Sequence, residues 1–299
     1  MGLFAKKKDE SVGLYGKHPT ADDFLRINAG SAALRHLDEW LSGALAGAQR
    51  LIRDFENVYL SGPPVSFLVT SPGGVCTFGT LAPSRDRIGR QYPLVLFAQV
   101  SVELLAHGFS VIPLLGFMSR VQGMQAQRVS LDREQLVQQI QSLSVPGEAE
   151  FAAAREEQDR ALDGRTLGQT FSNMTGPAEG WVVRGVQGLR TVCRDVSDGG
   201  PLPAFGIHLP LGQEMALHVS VWLRVIQEQC PRGVIPCVLW SEGCLMLYFA
   251  KLTSRALVAM WDRGWEDDTV YEVAATPNAL PLPAVQSGAP LRVLLTAAS

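Results

Sequence analysis

Apolar residues between positions 34 and 55 recur every three or four residues. This spacing predicts one amphipathic helix, because such positions form a single apolar stripe along its surface. Upstream of it, the stretch VGLYGKHP predicts a short strand that a turn closes. Thr20 and Asp23 have the spacing of a capping box, which predicts that a helix begins near residue 20.

Three strand-like segments follow this helix. The stretch VSFLVTSPGGVCTFGTLAP predicts two strands that a Pro-Gly-Gly turn joins into a hairpin. The stretch YPLVLFAQV is apolar almost throughout, which is typical of a central strand buried on both faces. Helical spacing then returns at about 102–124 and 131–143.

The second half of the chain alternates in the same way. Residues 145–180 are polar and predict a surface helix followed by a flexible insertion. Three short strands are predicted next, from the stretches GWVVRGV, RTVCRDV and AFGIHLPL. Met215 to Ile226 show helical spacing, and PCVLWSEGCLMLYFAKL predicts a second hairpin before a helix that contains Leu257 and Trp261.

Strands and helices therefore interleave, and the hairpins require antiparallel pairing. The predicted fold class is mixed α/β, with a partly antiparallel sheet and helices packed on its faces. We expect a disordered N-terminal segment over 1–11 and one α/β domain over 12–275. The polar insertion near 145–180 lies within that domain, and a Pro-containing tail over 276–299 is expected on the surface.

Composition excludes some classes of partner. The 299 residues are 46% hydrophobic and carry a net charge of −3, which gives no general electrostatic reason to bind nucleic acid or an anionic membrane. No apolar run reaches 18 residues, so we expect a soluble protein that is not exported. The five cysteines predict buried thiols in a reducing cytoplasm, and their spacing lacks the close pairs of a zinc site.

Most enzyme motifs are missing. The sequence contains no GxxxxGK[ST], no dinucleotide-binding fingerprint, no HExxH and no GxSxG. We therefore expect no enzyme, no cofactor and no metal. One alternative is a hydrolase or phosphatase in which Ser84 and Asp86 meet one of the five histidines in space.

A charged loop precedes the central strand. It contains Arg85, Arg87 and Arg90. Their guanidinium groups are planar bidentate donors for carboxylate or phosphate, while Asp86 can hold one of them and Gly89 permits a tight turn. The loop can therefore bind a partner, or it can simply tie together the strand ends before Tyr92 and Pro93. Asp23 also has two interpretations, as a helix cap or as the partner of an arginine in this loop.

Two motifs carry a resemblance to a known family. GKHPTADDF and, some sixty residues later, APSRDRIGRQYPL resemble the GKxPxxGDF and PSxDxxGRxFPL motifs of the TagF/ImpM family of type VI secretion-associated proteins. Matching positions in the first motif are Gly16, Lys17, Pro19, Asp23 and Phe24, and in the second Pro83, Ser84, Asp86, Gly89, Arg90, Pro93 and Leu94. Asp22 stands where the family has Gly, and Tyr92 where it has Phe. The stretch LDEWL, with Trp40, and the stretch VLWSEG, with Trp240, are also similar to family segments.

The resemblance implies a cytoplasmic accessory protein that controls a bacterial type VI secretion system after translation, with repression as the expected direction. Family members are associated with the forkhead-associated scaffold protein of the system, so the expected partners are type VI components such as this protein. Some members are fused to a metal-dependent phosphatase domain, whose acidic motifs are not evident here. A second alternative, by analogy of fold alone, is an adaptor for a small nucleotide-binding regulator.

The sequence also suggests how the motifs come together. We expect Lys17 and Asp23 to meet Asp86 and Arg90 at one end of the sheet, forming a polar network that shapes a protein-binding face. The candidate partner-binding residues are Lys17, Asp23, Ser84, Arg85, Asp86, Arg87 and Arg90. The candidate structural residues are Gly16, Pro19, Phe24, Trp40, Pro83, Gly89, Pro93 and Trp240.

Overall fold

The computed structural model describes residues 12–106, 112–127, 130–171, 178–197, 205–212, 214–229, 235–262, 270–272 and 288–296. The chain divides into two compact units. The first comprises residues 1–102, 116–146 and 254–265, and the second comprises residues 103–115, 147–253 and 266–299. The predicted N-terminal segment 1–11 lies outside the described residues, as do residues 276–287 of the predicted tail. A single domain over 12–275 stays a prediction.

The described elements are the following, in chain order. The strands are β1 (Gly13–Gly16), β2 (Leu25–Ile27), β3 (Val65–Ser71), β4 (Val75–Ala82), β5 (Leu94–Ser101), β6 (Gly206–Pro210), β7 (Cys237–Ser241), β8 (Cys244–Tyr248) and β9 (Val270–Glu272). The helices are α1 (Ala32–Leu51), α2 (Phe55–Ser61), α3 (Val102–Ala106), α4 (Ile112–Gln127), α5 (Arg133–Ser142), α6 (Glu148–Gly164), α7 (Leu167–Phe171), α8 (Ala178–Ser197), α9 (Met215–Gln229), α10 (Ala256–Trp261) and α11 (Val293–Thr296).

The first unit contains an antiparallel sheet in the order β2-β1-β5-β4-β3. The predicted hairpin is confirmed, because β3 pairs with β4 from Val65 opposite Leu81 to Ser71 opposite Val75. The predicted central strand is also confirmed: β5 pairs on both sides and is buried along all but its last residue. The mixed α/β fold class is therefore confirmed.

The predicted helix start near Thr20 is wrong. The chain turns there and forms β2, and the first long helix begins only after Ser31, whose side chain accepts a hydrogen bond from Leu34 N. Thr20 instead pairs with the ring of His18 through its hydroxyl group, at 2.8 Å. The amphipathic stripe itself is confirmed in α1, but the helix ends at Leu51, and α2 is a separate helix.

Helix α10 completes the core of the first unit from a distant part of the sequence. The ring of Trp261 meets that of Tyr59 edge-on, with 5.1 Å between centroids. Val258 packs with Ala48 and Ile52 in a buried cluster. Residues 254–265 therefore belong structurally with the N-terminal third of the chain.

The second unit has a four-stranded sheet in the order β7-β8-β6-β9, in which β6 is antiparallel to β8 and parallel to β9. The hairpin β7–β8 was predicted, whereas β9 was not. The two strands predicted from GWVVRGV and RTVCRDV are wrong, because this stretch forms the single helix α8. Its buried residues recur at helical spacing: Val182, Val186, Leu189 and Cys193.

The polar segment after residue 145 forms a helix, as predicted, but one with a buried face. Phe151, Ala154 and Leu162 of α6 are all buried. Gln158 is buried beside them and donates its side-chain amide to Ser220 O at 2.8 Å. A hydrogen-bonded glutamine thus occupies a position of the buried face at which an apolar residue is expected. For this reason the sequence pattern did not indicate a buried face in α6.

The C-terminal segment 288–296 packs into the second unit, so the expected surface position is wrong here. Leu291 is fully buried and Leu294 nearly so. The backbone bonds Leu291 N to Arg165 O at 2.9 Å and Arg292 N to Leu162 O at 3.0 Å fix the segment against α6.

The state of four of the five cysteines tests the prediction of buried, reduced thiols. Cys76, Cys237 and Cys244 are free and buried, as predicted, whereas Cys193 is disulfide-bonded, so the prediction of a reduced thiol is wrong there. Cys230 lies outside the described residues. None of the helices in the described part of the chain has the length and hydropathy needed to span a bilayer.

We expect Leu291→Ala to lower the free energy of unfolding by about 2–5 kcal/mol, because it leaves a cavity where a leucine is fully buried. Thermal and urea unfolding would measure the loss. The matched control is Leu51→Ala, which removes the same atoms from an exposed leucine at the end of α1. Equal losses in the two variants would contradict the packing of the C-terminal segment.

Candidate functional site

The two motifs lie at the same end of the first sheet. The first follows β1 and the second connects β4 to β5. Because β5 pairs with both strands, Tyr15 lies opposite Val95 and Ala82 lies opposite Leu94. Gly16 permits the closest approach: its φ is +132°, and a Cβ atom there would lie 2.0 Å from Pro93 O. No other residue fits this position, so the glycine brings the motifs together.

A buried carboxylate connects the two motifs. The Asp86 residue is 2% exposed, and its Oδ2 accepts from Lys17 Nζ at 2.5 Å and from Arg90 Nε at 2.7 Å. Its Oδ1 accepts from the Arg90 backbone N–H at 2.8 Å. Lys17 is itself only 5% exposed, so this is a buried ion pair with one further, half-exposed cation.

The electrostatics of Asp86 follow from these contacts. Burial acts to raise the pKa of the Asp86 carboxyl, but the hydrogen bonds from Lys17 and Arg90 outweigh it and lower the pKa to about 2. The carboxylate is therefore ionised at neutral pH, and three donors already occupy it.

The backbone of the loop is tightly hydrogen-bonded. Gly89 N donates to Asp86 O at 3.0 Å, which closes a β-turn with Arg87 and Ile88 at its centre, and Gly89 has a φ of +91°. Asp86 N donates to Arg90 O at 3.0 Å. Arg87 N donates to Ala21 O in the first motif at 2.9 Å, so the turn is fixed from both sides.

Asp22, rather than Asp23, pairs with an arginine of the loop. Arg87 donates to both Asp22 carboxylate oxygens, at 2.5 and 2.7 Å, and Arg90 also donates to Asp22 O. Asp23 is exposed and accepts from Phe24 N at 2.8 Å. The structure thus brings Lys17, Asp86 and Arg90 together as expected but leaves Asp23 outside the network. The residue that replaces the family glycine makes the ion pair instead.

Further residues, which were not among the predicted site residues, form hydrogen bonds that fix the two motifs against α1 and α2. Tyr59 of α2 is fully buried and donates its hydroxyl to Ser84 O at 2.9 Å, while Ser84 N donates to the same hydroxyl at 2.9 Å. On the other side, Tyr15 and Tyr92 both donate to Asp38 Oδ1 of α1. Burial and the hydrogen bond to Asp38 raise the pKa of Tyr15 to about 12 and raise that of Tyr92 as well.

An aromatic cluster covers the buried lysine. Lys17 Nζ lies 4.6 Å from the centre of the Phe24 ring, a cation–π contact. The Phe24 ring packs on Tyr15 and Tyr92, with centroid distances of 5.3 and 4.9 Å. Tyr92 lies inside the second motif and Tyr15 directly precedes the first, so both could have been suspected, but nothing in the sequence indicated Tyr59.

The remaining predicted structural residues are placed as follows. Pro83 and Pro93 are buried at the two ends of the loop, and Pro19 is half-buried in the first motif. Trp40 is half-buried on α1. Trp240 is buried on β7 in the second unit and pairs with Leu245, so it belongs to the core of that unit.

The proposed catalytic constellation does not form. Ser84 Oγ is buried and makes no hydrogen bond to any described residue, so none of the histidines in the described part of the chain activates it. The Asp86 carboxylate is bonded to Lys17 and Arg90. In the described residues, no group of His, Cys, Asp and Glu side chains is arranged to hold a metal ion.

Comparison with known proteins supports the resemblance of the motifs. Residues 13–143 match the family model of the TagF N-terminal domain, described as type VI secretion system-associated, and this range contains both motifs. The TagF/ImpM resemblance is thus confirmed over this segment. The crystal structure of PA0076 from Pseudomonas aeruginosa PAO1 is similar over 49% of this chain and 78% of that chain, with 21% identity and a TM-score of 0.40. No curated protein matches the chain.

We expect Asp86→Asn to lower the free energy of unfolding at neutral pH by about 3–5 kcal/mol, because it leaves the buried Lys17 charge without its counter-ion. Urea unfolding would measure the loss. Asp23→Asn is the matched control, since it makes the same change at an exposed aspartate of the first motif that pairs with no arginine in the described ranges. A loss below about 1 kcal/mol in Asp86→Asn would contradict a buried ion pair.

The same variant should change the dependence of stability on pH. The pKa of Asp86 is about 2 in the folded protein and about 3.9 in an unfolded chain. The unfolded state therefore binds more protons between these values, and the stabilisation, complete above the unfolded pKa, is lost as the pH falls towards 2. The urea unfolding midpoints of the unchanged protein and of Asp86→Asn should converge as the pH falls from about 6 to about 2. Parallel curves would exclude a depressed pKa.

Proposed function

Because residues 13–143 match the family model of the TagF N-terminal domain, we propose that this chain is a non-enzymatic regulator of a bacterial type VI secretion system. It acts in the cytoplasm after translation, by binding a component of the system and holding it inactive. The forkhead-associated scaffold protein of the system is the first candidate partner. Neither nucleic acid nor insertion into a membrane is part of the proposal.

The observation that carries this proposal is the rigid, charged loop at the end of the first sheet. Asp86 fixes the loop from inside, while the guanidinium side chains of Arg87 and Arg90 remain 66% and 52% exposed. A surface that is already ordered before binding loses little conformational entropy when a partner docks. Arginine is also enriched in protein–protein interfaces.

Binding rather than catalysis is supported by the state of the polar groups. The Asp86 carboxylate accepts hydrogen bonds from Lys17 and Arg90, and the buried Ser84 hydroxyl is bonded to no base among the described residues. The mechanism is therefore occupancy: the chain covers a surface of the component and leaves its covalent structure unchanged. The effect on secretion then depends on the affinity for the partner and on the concentrations of both proteins.

We expect Arg90→Ala to weaken capture of type VI components at least about tenfold in affinity purification from the native cytoplasm, read by mass spectrometry. Its side chain is half exposed, so the melting temperature should change little, with a loss of about 1 kcal/mol or less. Asp23→Ala, an exposed change in the same region that leaves the network intact, serves as the control.

Two results would count against this proposal. If the intact chain captures no type VI component, binding is not its function. If Arg90→Ala destabilises the fold as much as Asp86→Asn does, the loop has a structural role, and any loss of capture follows from unfolding.

A further inference from the structure

The most exposed large apolar side chain in the described part of the molecule lies at the tip of the charged loop. Ile88 is 66% exposed, against 36% for Leu51 and 37% for Phe205. It is one of the two central residues of the turn that Gly89 N closes onto Asp86 O. Central turn positions favour Gly, Asn, Asp, Ser or Pro, so the turn itself gives no reason for an isoleucine.

This isoleucine is held in place although it is exposed. The residue before it donates its backbone N–H to Ala21 O at 2.9 Å, and the residue after it donates to Asp86 O at 3.0 Å. Asp86 is in turn fixed by Lys17 in the interior. An apolar side chain on a fixed turn can enter a pocket without ordering the backbone first, which favours binding.

One arginine of the charged loop differs from the other two in its ion pairing. Arg85 is exposed and makes no salt bridge with any described residue, while Arg87 pairs with Asp22 and Arg90 with Asp86. The loop therefore exposes one apolar side chain, one arginine that makes no salt bridge with a described residue, and two arginines that are partly neutralised by aspartates of the chain.

We propose that Ile88 is the apolar anchor of the interface and inserts into a pocket on the partner whose rim carries carboxylates, one of them opposite Arg85. This inference rests on the proposed function and specifies the chemistry of the partner surface. The buried isoleucine contributes affinity, and the Arg85–carboxylate pair fixes the orientation and excludes basic surfaces.

The charge distribution favours an acidic protein over an anionic membrane. Membrane surfaces and nucleic acids are bound by several uncompensated basic residues, typically four or more in a membrane-binding cluster. Here two of the three loop arginines are already paired with aspartates. A single free arginine suits one carboxylate at a defined position, which a folded protein surface provides.

The test uses the chain with p-benzoylphenylalanine at position 88, photo-crosslinked in cells that contain the type VI secretion system. Mass spectrometry identifies the crosslinked peptide. We expect a peptide of a type VI component in which apolar residues adjoin Asp or Glu. Arg85→Glu should reduce this crosslink at least about tenfold, whereas Arg53→Glu, the same change at an exposed arginine outside the loop, should not.

The contribution of Ile88 to the affinity is then measured with two purified variants. Against the component that the crosslink identifies, Ile88→Ser should weaken binding at least about tenfold, whereas Leu51→Ser, at an exposed leucine outside the loop, should leave it unchanged. Replacing the identified partner carboxylate by lysine should restore binding to Arg85→Glu. Because Ile88 and Arg85 are exposed, unchanged melting temperatures will verify that the variants fold.

The outcomes separate this inference from the proposed function. If the intact chain captures a type VI component but position 88 crosslinks elsewhere, or to a surface without carboxylates, the inference is overturned and the regulatory function stands. If no type VI component is captured, both fail. If Ile88→Ser instead abolishes binding to vesicles of phosphatidylglycerol and phosphatidylethanolamine, the tip recognises lipid and the inference is overturned.

Discussion

The geometry of the motif region depends on the compensation of one buried negative charge. Removing a carboxylate from water is unfavourable unless donors replace its hydration. For Asp86 those donors come from both motifs, Lys17 from one and Arg90 from the other. The loop can therefore have few other conformations, because any arrangement that separates the motifs leaves a charge without a partner. Desolvation offsets much of the attraction within such a pair, whereas separating the two charges is costly.

This constraint makes the structural and the binding interpretation of the loop compatible. The two interpretations seemed to compete in the sequence, but in the structure the groups that fix the loop differ from the groups that it exposes. The carboxylate of Asp86 and the amine of Lys17 face inward, whereas the side chains of Arg85, Arg87 and Ile88 remain exposed at the surface. Burial of one side chain fixes its neighbours in the chain, and those neighbours form the candidate contact surface.

The sequence predicted those parts of the structure in which periodicity and chemistry agree. Helix α1, the β3–β4 hairpin and the central strand β5 all have strong patterns, and all three are present. Helix α8 was missed because short runs such as WVV and TVC resemble strands, whereas its stripe is visible only over four turns. At residue 20, a sequence pattern typical of a helix cap occurs in a turn, because the chain there must pair with the loop from Asp86 to Arg90. Local rules failed where contacts between distant residues decide the conformation. For the same reason, Asp22 could not be distinguished from Asp23.

The contact between Tyr59 and Trp261 has a consequence for synthesis of the protein. Tyr59 holds the backbone of Ser84, at the start of the charged loop, and its ring rests against Trp261 of α10. A ribosome makes the chain from the N-terminus, at about 5–20 residues per second, so Ser84 is translated long before Trp261. The whole second unit up to residue 253 must be translated in between. The support of the loop by Trp261 is therefore completed only after α10 has been translated, although the loop itself was made more than 160 residues earlier.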